Sequence, residues 1–176
     1  MILGMSVAAF TQLHVIISLI AIISGILVTV GMLNARLMPG MTTLFLILTV
    51  ATSVTGFMFA TPVDAPRVIG SLDPPKVVGV ISLIFLALAI LALYSYKLAG
   101  SWRGIYVISA IIALYFNCFV LVVQSFQKVS FFHALAPTQK EPPFAVAQAI
   151  LLILFVGLGI AAFKKFRPIA QVPAAA

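Results

Sequence analysis

Val77-Val78-Gly79-Val80-Ile81-Ser82-Leu83-Ile84-Phe85-Leu86 decides the fold. Its odd and even positions are both apolar, whereas a membrane strand of about ten residues alternates apolar with polar. Lipid offers no partner to backbone N–H and C=O groups, so such a stretch satisfies them within itself, as a helix. Lys76 and Lys97 frame residues 77–96, which hold no Asp, Glu, Lys or Arg. About 20 apolar residues cross roughly 30 Å of hydrocarbon.

Reading outward from this block reveals four more. They cover residues 10–33, 41–60, 104–127 and 144–163, each free of charged side chains and bounded by Arg, Lys, Pro or Gly. The expected fold is all-α, a polytopic membrane bundle of five transmembrane helices in a single domain over residues 1–176. Residues 168–176 form a short C-terminal tail. The composition agrees, with 64% hydrophobic residues, 7% charged and a mean hydropathy of +1.28; a soluble domain carries roughly 25% charged residues. No basic leader or small-residue cleavage site precedes the first block, so it is expected to be kept as a helix rather than removed as a signal.

The formal charge of +7 lies beside the apolar blocks and not on one soluble face. It reads as a topology signal and sets aside nucleic acid as a partner. One side of the bundle receives Arg36, Lys97, Arg103, Lys164, Lys165 and Arg167. The other receives Arg67, Lys76, Lys128 and Lys140 with all three acids, Asp64, Asp73 and Glu141. The richer basic side is expected in the cytoplasm, giving N-terminus out and C-terminus in. Tyr94, Tyr96, Trp102 and Tyr106 read as an interfacial aromatic belt on that inner side. The outer connections, residues 61–75 and 129–143, hold Pro62, Pro66, Pro74, Pro75, Pro137, Pro142 and Pro143 and read as shaped caps.

Small and polar residues on each span name the face expected to turn inward. They are His14, Ser18, Ala21, Gly25 and Thr29 on the first and Thr49, Thr52, Ser53, Gly56 and Ala60 on the second. The fourth offers Tyr106, Ser109, Ala113, Asn117, Gln124 and Lys128, and the fifth Ala145, Gln148, Ala149, Gly157 and Ala161. Asn117, near mid-bilayer, is expected to bond across a helix interface. Cys118, the sole cysteine, excludes an internal disulfide and a cysteine metal cluster and reads as an inert buried thiol. His14, Thr55, Gln124 and Gln148 fall at a similar depth, with His133 just above. They form a candidate polar pocket in the outer leaflet, set against the reading that each bonds a nearby carbonyl on its own.

Catalytic and metal residues are not expected. The spans hold no paired carboxylates and no acid for a Ser-His-Asp arrangement, and no phosphate loop or HExxH motif occurs. Four segments carry a resemblance: Thr52–Phe57, Trp102–Val107, Val122–Lys128 and Ala134–Phe144. On these the chain resembles a group of small, uncharacterised multi-pass bacterial inner-membrane proteins. The resemblance implies that location and architecture and carries over no activity.

The leading expectation is an integral membrane protein without a catalytic site, an accessory subunit of a membrane complex or a self-associating bundle. Its partners are the lipid bilayer and a membrane protein or a second copy. The alternative is a redox protein holding haem or quinone in the pocket around His14. The third is an oligomeric transporter or channel. No cofactor is predicted under the leading reading.

Overall fold

The computed structural model describes residues 2–59 and 73–167. Among these, five helices are long and apolar enough to cross a membrane: Val7–Leu33, Pro39–Phe57, Pro74–Ser95, Trp102–Lys128 and Pro142–Lys165. The protein is an all-helical bundle. We number the helices α1 (Val7–Leu33), α2 (Pro39–Phe57), α3 (Pro74–Ile90, continued by a π-helical turn Leu91–Ser95), α4 (Trp102–Lys128), a short α5 (Ser130–Leu135) and α6 (Pro142–Lys165).

The helices begin two or three residues before the expected blocks, and caps or first-turn prolines account for all but α4. Ser6 accepts a hydrogen bond from the Ala9 N–H at the start of α1, and Asp73 accepts from the Lys76 N–H at the start of α3. Pro39, Pro74–Pro75 and Pro142–Pro143 occupy the first turns of α2, α3 and α6. There the missing N–H costs nothing and the fixed φ suits the helix. Four of the seven prolines assigned to the outer connections are therefore helix starters. Pro62 and Pro66 lie outside the described residues, as does residue 60 at the expected end of the second span and the tail from 168.

The connection over residues 129–143 contains α5, an element not expected from the sequence. Phe131 is 69% exposed, and Phe126 packs on the rings of Phe132 and Phe144. Beyond α5, the Glu141 carboxylate accepts from the Thr138 N–H and hydroxyl and from the Lys140 N–H. Partial dehydration raises its pKa, but these bonds outweigh that effect and hold the carboxyl below its usual range.

Packing runs in sequence order. α1 lies along α2, α2 on α3, α3 on α4, and α4 returns to α1, with α6 laid against α4 and α1. Two glycines permit the closest approaches. A Cβ on Gly25 would stand 2.6 Å from Leu114 and 2.8 Å from Phe45, and one on Gly104 would stand 2.6 Å from Phe163. The core joins Phe45, Leu46, Leu86, Val107, Ala110 and Leu114 in the half of the bundle where α1 ends and α4 begins. Arg103 closes the α4–α6 contact there. Its guanidinium donates to the carbonyls of Phe163 and Phe166 at the end of α6 and lies over the Phe163 ring.

Two expectations about faces are corrected. Tyr106 is not part of the aromatic belt: it is 1% exposed, with its hydroxyl 3.5 Å from Thr42 Oγ1. Tyr94 and Tyr96 are exposed, and Tyr96 stacks on Trp102. On α6 the small residues Ala145, Ala149 and Gly157 face outward, and Phe155 and Ala162 are buried. At the α4 contact Gly104 of α4 takes Phe163, and Gly159 of α6 takes Ile111.

Candidate functional site

At the end of the bundle where α1 begins and α4 ends, the first four helices part around a cavity of about 540 Å³. That volume lies within the roughly 300–1,000 Å³ of small-molecule sites. α1 lines it from Thr11 to Ile22 and α4 from Phe116 to Lys128. Eleven steps along α1 at 1.5 Å per residue make it about 16 Å deep. Ser18, Thr52, Ser53 and Ser82 add hydroxyls, and Leu19, Ile22, Phe57, Phe116 and Val120 supply apolar wall.

The polar side chains are fixed by helix-to-helix bonds. His14 Nδ1 lies 2.7 Å from Thr55 Oγ1, joining α1 to α2. Ser18 Oγ reaches the His14 carbonyl at 2.6 Å and Thr52 Oγ1 at 3.3 Å. Asn117 Nδ2 donates to Thr49 Oγ1 at 3.3 Å, joining α4 to α2 at the floor. These bonds also set relative depth. Thr55 stands six residues from Thr49, and Gln124 seven from Asn117, so His14 and Gln124 meet the cavity within about 2 Å of the same level.

The Thr55 hydroxyl also assigns the histidine tautomer. It has a single proton, which faces the Ala51 carbonyl at 2.7 Å and the Thr52 carbonyl at 3.2 Å. Thr55 Oγ1 therefore accepts from His14, Nδ1 carries the hydrogen, and in the neutral ring Nε2 is an acceptor. The His14 ring is held edge-on to Phe59, with centroids 5.2 Å apart.

Among the described residues, two polar groups in the wall have no hydrogen-bond partner. Ser82 is 3% exposed, and its Oγ makes no hydrogen bond; Gln124 Oε1 is likewise buried and unpaired. A buried polar group left without a hydrogen bond costs on the order of 1–3 kcal/mol, so such atoms mark a place where a bonded guest is stabilising.

His14, Thr55 and Gln124 thus belong to one arrangement, Thr55 through its bond to His14. Gln148 stands apart: its Nε2 donates to the Phe119 carbonyl at 3.4 Å across the α4–α6 contact, and it does not line the cavity. His133 sits exposed on α5 with Nδ1 3.3 Å from the Phe126 carbonyl, also outside the lining. His133 follows the simpler course open to a polar group in lipid, a bond to a nearby carbonyl; the Gln148 Nε2 does the same, while its Oε1 is buried with no hydrogen bond among the described residues. Depth alone could not separate them, because α6 lies outside the ring of α1–α4 and the chain turns His133 outward on α5. Ser82 was missed: a lone serine in an apolar helix carries no signal until its surroundings are known.

The mouth carries Asp73, Lys76 and Lys128, with Lys76 Nζ 4.0 Å from Asp73 Oδ2. Among the described residues, no group of three or more His, Cys, Asp or Glu side chains is placed to hold a metal ion. Comparison of the chain with protein-family models, curated proteins and solved structures yields no match.

Proposed function

We propose that this chain is a multi-pass protein of the bacterial inner membrane that binds a small amphipathic molecule in the α1–α4 cavity and has no catalytic machinery of its own. The carrying observation is the pair of buried, unpartnered polar groups, Ser82 Oγ and Gln124 Oε1, in the wall of one 540 Å³ cavity. The basic end of the bundle lies in the cytoplasm on this reading, and the cavity faces the periplasm. A quinone-class head fits the site better than haem held between two histidines, since only His14 of the two histidines lines it.

The test is native mass spectrometry of protein released gently from its membrane. The wild type is expected to carry one small apolar guest. Gly56→Leu should lose it, because Gly56 lines the cavity with His14 Cε1 only 3.8 Å from where a Cβ would be. A bare polypeptide mass for the wild type overturns the reading, and a Soret band in its absorption spectrum replaces the guest with haem.

A second reading, self-association or service as an accessory subunit, rests on α6. Its outward Ala145, Ala149 and Gly157 lie among exposed Val146, Ile150, Ile153 and Ile160. Small residues of this kind let membrane helices approach closely. The same spectrum tests it: a dimer or a heterologous complex supports this role, and a monomer removes it.

A further inference from the structure

We infer that the guest is a bilayer-dissolved molecule with a hydroxyl head on a single apolar chain, and that it enters sideways between α1 and α4. This rests on the reading of the cavity as a binding site and adds the head-group chemistry and the route.

The head group follows from the donors and acceptors in the wall. His14 Nε2 is an acceptor, because Nδ1 is committed to Thr55. The Ser82 hydroxyl can donate or accept, and the Gln124 amide offers either function, whichever way it is turned. One group that gives a proton to Nε2 while accepting from Ser82 or Gln124 satisfies both sides. A hydroxyl does this; an ester or ketone oxygen only accepts and leaves Nε2 unmatched. Hydroquinones and monoacylglycerols share this chemistry. The volume holds a head and part of one chain, not the two chains of a bilayer phospholipid.

The route follows from exposure. Val15 and Leu19 of α1 and Leu121 of α4 line the cavity and are yet 44%, 42% and 40% exposed. On α2 and α3 the apolar lining residues within the span, Phe57 and Val78, are only partly exposed and better covered than these three. The wall is therefore open to its surroundings along the α1–α4 seam, at depths that lie in hydrocarbon when the helices span a bilayer. A chain can trail through this seam into lipid while the head stays at the level of His14 and Gln124. A water-soluble guest would need only the polar mouth at Lys76 and Lys128.

The experiment compares 1-oleoylglycerol with methyl oleate, which has the same chain and no hydroxyl, on the full-length protein stripped of its guest. Binding is read by native mass spectrometry in neutral detergent, with decylhydroquinone and decylquinone as a second matched pair. The donor-bearing member of each pair should bind about tenfold more tightly, the scale of one buried group left unpaired. His14→Phe should erase that preference while leaving the weak binding of methyl oleate in place, and Ser82→Ala should weaken both members of each pair alike. Leu121→Trp should slow association in nanodiscs at unchanged melting temperature.

Failure of every probe to bind the wild type overturns the binding-site reading itself. Equal binding within each pair overturns the hydroxyl head alone. An unchanged association rate for Leu121→Trp overturns the lateral route alone. A preference that persists in a folded His14→Phe protein overturns the role of Nε2.

Discussion

Asn117 shows what a single polar side chain does in this bundle. Its amide reaches 3.3 Å to Thr49 Oγ1 on α2, and lipid has no substitute to offer. Asn117→Leu should lower stability by roughly 1 kcal/mol, the usual scale of an interhelical hydrogen bond in a membrane. Thermal unfolding in detergent checks this, and an unchanged midpoint would mean that the bond carries no weight. The position of Asn117 at mid-span and its need for a partner were legible in the sequence. The identity of Thr49 was not, since helix rotation and offset choose among Thr49, Thr52 and Ser53. Tyr106 makes the complementary point. A tyrosine near a helix end is equally at home in the interface or under a neighbouring helix, and only the packing of α4 on α2 and on Phe166 decides for burial.

The spans were legible as elements because charged residues are so sparse that each one marks a boundary. Their ends were less so, since a proline read as loop is equally fit for the first helical turn. The α6 face was misread because small residues occur on more than one face of this helix, and the contact falls on Gly159 and Ala162 rather than on Ala145, Ala149 and Gly157. At the other end of the bundle the α1–α2 turn holds a local strain that the sequence conceals. Ala35 sits at φ 55°, just past the Asn34 cap, where the Arg36 N–H bonds the Gly31 carbonyl at 2.8 Å. This left-handed conformation costs a residue with a Cβ roughly 1–2 kcal/mol, and glycine takes it freely. Ala35→Gly should therefore raise stability by up to about 1 kcal/mol after its greater unfolded-state freedom is allowed for. A fall in melting temperature would show that the turn relaxes without the cost.

For the molecule as a whole, the proposed orientation is open to a direct test. In a Cys118→Ala background, a cysteine at Thr138 should react with an impermeant maleimide added outside intact cells, and one placed just after Arg167 should not. The opposite pattern reverses the orientation and leaves the five helices untouched. The order of packing has a consequence for synthesis. α1 and α2 lie side by side and carry their own bond, His14 to Thr55, so this pair is satisfied as soon as both helices have left the ribosome. The α1–α4 seam is different, because α4 is complete only at Lys128, well after the other three walls, which end with Ser95. At roughly 5–20 residues per second of translation, the nascent protein spends several seconds as an open trough. On the proposed reading, the groove borders on lipid in that interval, and the guest settles before α4 arrives. First loading would then happen at birth, at the translocon, with later exchange limited by how readily the finished seam opens.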